Sequence, residues 1–214
     1  MLPEPHKLLV IDTATEACSV ALFAGDDLLA SEHAVMGRGH AERLVPMIAT
    51  LPQRGRADAI LVNCGPGSFT GVRVGLAAAR ALALAWNVPV GGYSTHSLVA
   101  ASALACRTDA DAVDVVMTGG HGEYFVQSFG RDGIARGPLA SMLPDAARDA
   151  CRHALVAGSM AEPLVAARGF GTALAMLPDA RQALLLAPMA RNLPADPIYG
   201  RGADAKPMAG QAPG

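Results

Sequence analysis

Aromatic residues are scarce in this chain, which has five Phe, three Tyr and one Trp among 214 residues. A core with so few large rings must be filled by Ala, Leu and Val, whose packing depends closely on shape. Hydrophobic residues make up 51% of the chain and the mean hydropathy is +0.29. This composition predicts a folded globular protein, either one compact unit or two small lobes.

An excess of positive charge is also missing. Seventeen Lys and Arg stand against nineteen Asp and Glu, which gives a formal net charge of −2. Contacts between basic side chains and phosphates supply most of the affinity of proteins for nucleic acids. We therefore expect the chain to bind RNA weakly by itself and, if RNA is involved, to leave most of that contact to a partner.

Paired cysteines and long uninterrupted apolar runs are absent as well. Residues 72–85 form the nearest candidate for a membrane span, but two arginines interrupt them, and residues 1–6 contain two prolines where a signal peptide would be apolar. We expect a cytoplasmic protein without a membrane segment. The cysteines have no C-x-x-C spacing, so they favour buried free thiols over a zinc knuckle or a redox pair: Cys18, Cys64, Cys106 and Cys151.

The first hundred residues contain a clear series of apolar patterns. Short runs bounded by turn residues predict strands, and apolar residues at helical spacing predict helices. The predicted order is βββαβαβα. The strands are expected at residues 7–12, 18–23, 28–35, 59–63 and 88–93, and the helices at residues 40–51, 70–86 and 95–106.

The second half repeats this pattern more faintly. A repeated three-strand opening followed by alternating α and β units predicts an α/β protein with two related lobes, a mixed sheet in each and a cleft between them. This is the organisation of the actin-like ATPase (RNase H-like) fold. We place the lobes at residues 1–107 and 108–202, followed by a loose tail at 203–214. The second lobe is expected to contain strands at 113–117, 124–129, 133–139 and 154–157, and a helix at 145–151.

Two segments are candidates for contact with phosphate. Asp12 ends the first strand and Thr13 follows in the turn, where a carboxylate could lie near a metal-bound nucleotide, although Asp followed by Thr is also an ordinary turn. Gly65, Gly67 and Ser68 form a turn between a strand and a helix, whose N–H groups could face an anion. The Gly-Lys-Ser/Thr element of a Walker loop is missing. The alternative is that the glycines serve the backbone and Ser68 caps the helix. We expect ATP or ADP binding to be weak at most, and no cofactor to be required.

The helix at residues 70–86 is apolar on nearly all sides, with Arg73 and Arg80 as its only charged residues. A helix of this kind is normally buried on more than one side, and small residues every fourth position leave a groove for another helix. The alternative is that an extra helix of the same chain covers this surface. The predicted partner-binding residues on this helix and the first one are His40, Leu44, Met47, Val72, Gly75, Leu76, Ala79 and Leu82.

The motif GPGSFTGVR at residues 65–73, followed by Gly75, closely resembles the hallmark of the TsaB (YeaZ) family. The segments IDTATEACSVAL at 11–22 and HAERLVP at 40–46 resemble the family's opening strands and first helix. Weaker similarity continues to the C-terminus, through GEYFVQ at 122–127, PIYGR at 197–201 and DAKP at 204–207.

The resemblance implies a non-catalytic subunit that pairs with the catalytic paralogue TsaD, which transfers a threonylcarbamoyl group to a tRNA adenosine. It also implies that an ATPase subunit, TsaE, joins the pair and that tRNA is reached only through the complex. Alone, the chain is expected to form a homodimer. The rival interpretations are a self-sufficient actin-like ATPase or kinase, a metallopeptidase of the kind older family labels name, or a module that senses ATP or ADP without turnover.

The resemblance also bears on metal binding. The catalytic relative holds a metal through two histidines four residues apart, whereas residue 100 here is Ala, so His96 has no such partner. We therefore expect no metal site and no catalytic residue, with His96 as a cap or surface residue. Two departures put charged positions of the family in doubt. Thr118-Gly119-Gly120 stands where an Asp-Ala-Arg run is usual, and Gly200 where Leu is usual.

Overall fold

A computed structural model describes residues 6–200 of the chain, which form two five-stranded sheets. The sheet of the first lobe has the order β3-β2-β1-β4-β5, with β1, β2 and β3 antiparallel and β4 and β5 parallel to β1. Its strands are β1 (Lys7–Asp12), β2 (Ala17–Ala24), β3 (Asp27–Val35), β4 (Ala59–Asn63) and β5 (Val90–Tyr93).

Three helices complete the first lobe: α1 (His40–Thr50), α2 (Phe69–Trp86) and α3 (Thr95–Cys106). Successive side chains of a strand point to opposite faces of its sheet, and β1 is buried on both faces. Leu9 and Ile11 pack towards α1 and α2, and Leu8 and Val10 towards α3. The predicted order βββαβαβα is therefore confirmed.

The second lobe has a sheet of order β10-β9-β6-β7-β8. Its elements are β6 (Ala112–Thr118), β7 (Tyr124–Gly130), β8 (Ala140–Met142), α4 (Pro144–Ala150), β9 (Leu155–Ala157), α5 (Ala161–Arg168) and β10 (Thr172–Leu174). Helix α3 lies between the lobes. Leu98 packs into the first lobe, whereas Val99 and Ala103 pack against β6 and β7. A helix that packs against both lobes is expected to be apolar on all sides, as α3 is.

The strand predicted at residues 133–139 is wrong. The chain turns there, because the Asp132 carboxylate accepts a hydrogen bond from the Ile134 amide (3.0 Å) and Arg136 bonds the same carboxylate. Regular pairing with β7 resumes at β8. Helix α5 and strand β10 were not predicted, because each is too short to show a clear period.

The predicted boundary of the second lobe at residue 202 also needs correction. After β10 the chain returns to the first lobe, where Ala180 and Ala183 pack with Leu8 and Val10. The Ala180 amide donates a hydrogen bond to the Ser19 hydroxyl (3.0 Å), and Leu193 forms a β-bridge with Gly92. The predicted tail at 203–214 lies outside the described residues.

The two mixed sheets and their helices form the predicted actin-like, RNase H-like fold. Helix α2, with a mean hydropathy of 1.2, is by length and composition the one helix of residues 6–200 that could cross a membrane. Its two arginines and the six residues that it buries in the lobe are instead typical of the outer helix of a folded lobe.

Candidate functional site

Asp12 lies at the carboxyl end of β1 and is 1% exposed. Its carboxylate accepts hydrogen bonds from the Asn63 side-chain amide (2.7 Å), the Tyr93 hydroxyl (2.8 Å) and the Ala14 backbone amide (3.1 Å). Burial raises the pKa of Asp12 to about 6, although these hydrogen bonds oppose the shift. Asp12 is therefore buried inside the lobe, where its hydrogen bonds join β1, β4 and β5.

Helix α2 approaches the turn after β1 closely, and three glycines make this possible. A Cβ atom at Gly67 would overlap the Ala14 carbonyl oxygen, and one at Gly71 would overlap the Thr13 carbonyl oxygen. A Cβ atom at Gly75 would lie 2.5 Å from the Thr13 hydroxyl oxygen. The space beside Gly75, predicted to receive a partner helix, is thus taken by Thr13 of this chain. The Thr13 hydroxyl donates a hydrogen bond to the Gly71 carbonyl (2.7 Å).

The predicted partner-binding residues occupy mostly the inner side of α1 and α2. The two helices lie side by side, but their inner faces form the core above the sheet. His40 is also buried, with its Nε2 atom 3.3 Å from the Ala17 carbonyl oxygen. Leu82 alone is half-buried. The following residues were predicted to bind a partner but are buried in the core of this chain: Leu44, Met47, Val72, Gly75, Leu76 and Ala79.

A cleft of about 720 Å³ opens between the two lobes. Of the predicted nucleotide-binding residues, Gly67 and Ser68 line it, whereas Asp12, Thr13 and Gly65 do not. The Ser68 side chain accepts a hydrogen bond from the Gly71 amide (3.2 Å), so it also caps α2 as the alternative interpretation held.

Arg73 lies at the edge of the cleft beside two aromatic side chains. Its guanidinium carbon is 3.3 Å from the centre of the Phe69 ring and 5.5 Å from that of Tyr199. The guanidinium donates hydrogen bonds to the Tyr199 hydroxyl (2.8 Å) and the Phe69 carbonyl (3.2 Å). The motif at residues 65–73 thus reaches the C-terminal segment that lines the same cleft.

Arg80, the second arginine of α2, binds the C-terminal segment at residues 195–196. It donates hydrogen bonds to the Ala195 carbonyl and the Asp196 carboxylate, both at 2.6 Å. The Ile198 amide donates to the Cys64 carbonyl (2.7 Å). Both charged residues of α2 therefore bind residues 195–199, an arrangement that sequence periodicity could not reveal because the partners lie more than 110 positions apart.

The two departures from the family pattern both line the cleft. A Cβ atom at Gly200 would overlap the Phe125 ring, so this glycine lets the C-terminal segment meet the second lobe. Thr118 bonds Ser159 through both its backbone amide (2.9 Å) and its hydroxyl (3.0 Å). Arg201 and residues 204–207 of the C-terminal motifs lie outside the described residues.

The position predicted for His96 is wrong, because the side chain is completely buried. Its Nε2 atom lies 3.0 Å from the Phe125 carbonyl oxygen in the second lobe, and its Nδ1 atom has no hydrogen-bond partner. Burial lowers the pKa of His96 to about 4, against the opposing effect of that carbonyl. Within residues 6–200, no three His, Cys, Asp or Glu side chains are grouped to hold a metal.

His96 and Asp12 give the unfolding free energy opposite pH dependences. The folded-state pKa of His96 lies below its ordinary value of 6.5, so its contribution is lost as pH falls below 6.5. The folded-state pKa of Asp12 lies above its ordinary value of 3.8, so its contribution grows as pH falls through 6. As the pH falls from 7 to 5, the His96 shift lowers the unfolding free energy by about 2 kcal/mol, and the Asp12 shift raises it by about 1 kcal/mol.

We therefore expect the substitution His96→Gln to reverse the pH response. Urea unfolding should show the wild type losing a little stability from pH 7 to pH 5, and His96→Gln gaining about 1 kcal/mol over the same interval. Equal slopes for the two proteins would contradict the buried, neutral state of His96.

The comparisons with known proteins agree with this fold and these motifs. The family described as "TsaD: tRNA N6-adenosine threonylcarbamoyltransferase" matches residues 33–156. The tRNA threonylcarbamoyladenosine biosynthesis protein TsaB of Escherichia coli is 39% identical over 102 residues, which cover 45% of this chain and 44% of the relative. The protein of the same name from Haemophilus influenzae is 38% identical over 126 residues, 56% of this chain and 52% of the relative. The chain thus aligns with about half the length of these curated relatives.

Similarity to a solved structure extends over the whole fold. YeaZ from Pseudomonas aeruginosa superimposes with a TM-score of 0.74 and 30% sequence identity, covering 90% of this chain and 99% of that one. The similarity to YeaZ over 90% of this chain and the matches to TsaB proteins lead to one conclusion: the chain belongs to the TsaB (YeaZ) family.

Proposed function

We propose that this chain is a non-catalytic subunit of tRNA threonylcarbamoyladenosine biosynthesis, which pairs with the catalytic paralogue TsaD and activates it. TsaE would join the pair in the cytoplasm, and tRNA would be contacted through the complex, in keeping with the slightly negative charge of this chain. The proposed pairing is supported mainly by the exposed apolar residues on the outer face of α1 and α2.

This outer face carries many apolar residues although it is open to water. Leu84 is 86% exposed and Val45 is 58% exposed, whereas the inner sides of both helices are buried. Exposed alanines extend these apolar positions along both helices, although the exposed Glu42, Arg43 and Arg80 interrupt them. A surface with this many exposed apolar residues on two adjacent helices favours protein association. The alanines are Ala41, Ala49, Ala77, Ala81 and Ala85.

The interior of the first lobe favours association over catalysis. Asp12 is committed to three donors, and His96 is buried against Phe125 without a second histidine beside it. Glu16 is the one carboxylate among the described residues that line the cleft. We propose accordingly that no ATP or ADP is needed for the role of this subunit, and that binding of either would be weak.

We expect the purified chain to show no threonylcarbamoyl transfer to tRNA and no peptidase activity, because within residues 6–200 no three His, Cys, Asp or Glu side chains are grouped to hold a metal, and Asp12 and His96 are buried. Addition of purified TsaD, TsaE, the threonylcarbamoyl adenylate and ATP should yield modified tRNA, measured by nucleoside analysis. Omission of this chain should abolish or strongly reduce the product. Metal-dependent turnover by the pure chain, lost in His96→Gln, would overturn the proposal.

A further inference from the structure

The guanidinium of Arg73 is held in place without a carboxylate partner. Phe69 and Tyr199 flank it, and both of its recorded hydrogen bonds go to uncharged oxygen atoms. Among residues 6–200, no carboxylate lies within ion-pairing distance of Arg73, whereas Arg80 on the same helix pairs with Asp196 at 2.6 Å. An oriented and unpaired guanidinium is a ready site for an anion, because it offers several N–H donors in a fixed plane.

The cleft beside Arg73 has the size and lining of a small-molecule site. Its volume of about 720 Å³ lies within the usual range for such sites. The lining is mainly apolar, and its polar groups are a few hydroxyls together with Arg73, His121 and Glu16. Those side chains include Phe69, Val72, Met117, Phe125, Ile198 and Tyr199.

The aromatic residues at this cleft are conspicuous because the chain has so few. Phe69 is 66% exposed and Tyr199 is 57% exposed, although aromatic residues are only 4% of the sequence. The Arg73 guanidinium covers one face of Phe69, so the ring offers its opposite face, against which another ring can stack. Phe125 adds a third ring, from the second lobe.

We propose that the cleft binds a small organic anion with a planar apolar body, its anionic group at Arg73 and its ring among the apolar side chains. The anionic group is a carboxylate or a phosphate monoester, both of which a guanidinium binds through paired hydrogen bonds. No metal ion takes part, because Asp12 is sealed beneath the cleft and Glu16 is the one lining carboxylate of the described residues. This proposal is independent of the pairing with TsaD.

The test uses four probes that separate the ring from the anionic group. The full-length chain is titrated in EDTA with 2-naphthyl phosphate, 2-naphthoate, 2-naphthol and inorganic phosphate, and binding is followed by calorimetry and by the fluorescence of the naphthyl ring. At least one naphthyl anion should bind about tenfold tighter than both 2-naphthol and inorganic phosphate. The tighter of the two anions identifies the head group. Added Mg²⁺ should change its affinity by less than about twofold.

Variants then locate the site. Arg73→Gln should weaken binding of the tighter anion about tenfold and leave 2-naphthol unchanged. Arg56→Gln is the control, because Arg56 is an exposed arginine before β4 that does not line the cleft, and the affinity of this variant should stay within about twofold of the wild type. If Arg73→Gln does not fold, Arg73→Lys should keep the preference for the anion over 2-naphthol. Equal binding of anion and 2-naphthol, a requirement for Mg²⁺, or unchanged affinity in a folded Arg73→Gln protein would each refute the proposal.

Discussion

Gly71→Ala is expected to lower the unfolding free energy by about 3 kcal/mol, towards the upper end of the cost of overpacking a protein interior. The added Cβ atom would overlap the Thr13 carbonyl oxygen, which belongs to the backbone and cannot rotate away. Helix α2 would have to move outwards from the turn, and the hydrogen bond from the Thr13 hydroxyl to the Gly71 carbonyl would be lost. Urea unfolding followed by circular dichroism measures the change.

The sign of the change in unfolding free energy distinguishes a close contact at Gly71 from an ordinary helical position. Within an ordinary helix, replacement of Gly by Ala stabilises by about 1 kcal/mol, because Ala has the higher helix propensity. Gly137→Ala is the control, since Gly137 has no atom within 4 Å of its Cβ position and no positive φ angle. We expect Gly137→Ala to change stability by less than about 0.5 kcal/mol. A stabilised Gly71→Ala protein would contradict the close approach of α2 to the first turn.

Most of the first lobe could be predicted because its elements have long, regular apolar patterns. The bounds of β1, β4 and α3 agree with the prediction residue for residue. The second lobe was harder to predict from sequence. Strands β8, β9 and β10 have three residues each, and a run of three cannot show whether its period is that of a strand or a helix.

The interior of the candidate site could not be predicted, because its contacts join distant parts of the chain. A recurrence of glycine on α2 indicates that something comes close, but only the structure identifies Thr13 as the neighbour of Gly75. Likewise, Asp12 at a strand end fits both a nucleotide site and a buried network. Its hydrogen bonds to Asn63 and Tyr93, 51 and 81 positions away, place it in a buried network.

Leu84→Asp is expected to weaken the proposed association with TsaD about 100-fold while leaving the fold intact. Leu84 is 86% exposed on α2, so an aspartate there remains hydrated in the isolated chain and should change its stability by less than about 0.5 kcal/mol. In the complex the same carboxylate would be desolvated against an apolar surface without a partner, which costs about 2 to 3 kcal/mol. The self-association expected of the isolated chain should weaken in the same variant, because it would use the same face.

Analytical ultracentrifugation of the wild type and the variant, alone and mixed with TsaD, measures both effects. Ile134→Asp is the matched control, because Ile134 is also an exposed aliphatic residue (59%) but lies on the turn after β7 in the second lobe. This control should assemble as the wild type does, and both variants should unfold at the wild-type urea concentration. If Leu84→Asp assembles as well as Ile134→Asp, the outer face of α1 and α2 is not where the subunits meet, because an unpaired carboxylate buried against an apolar surface would lower the affinity.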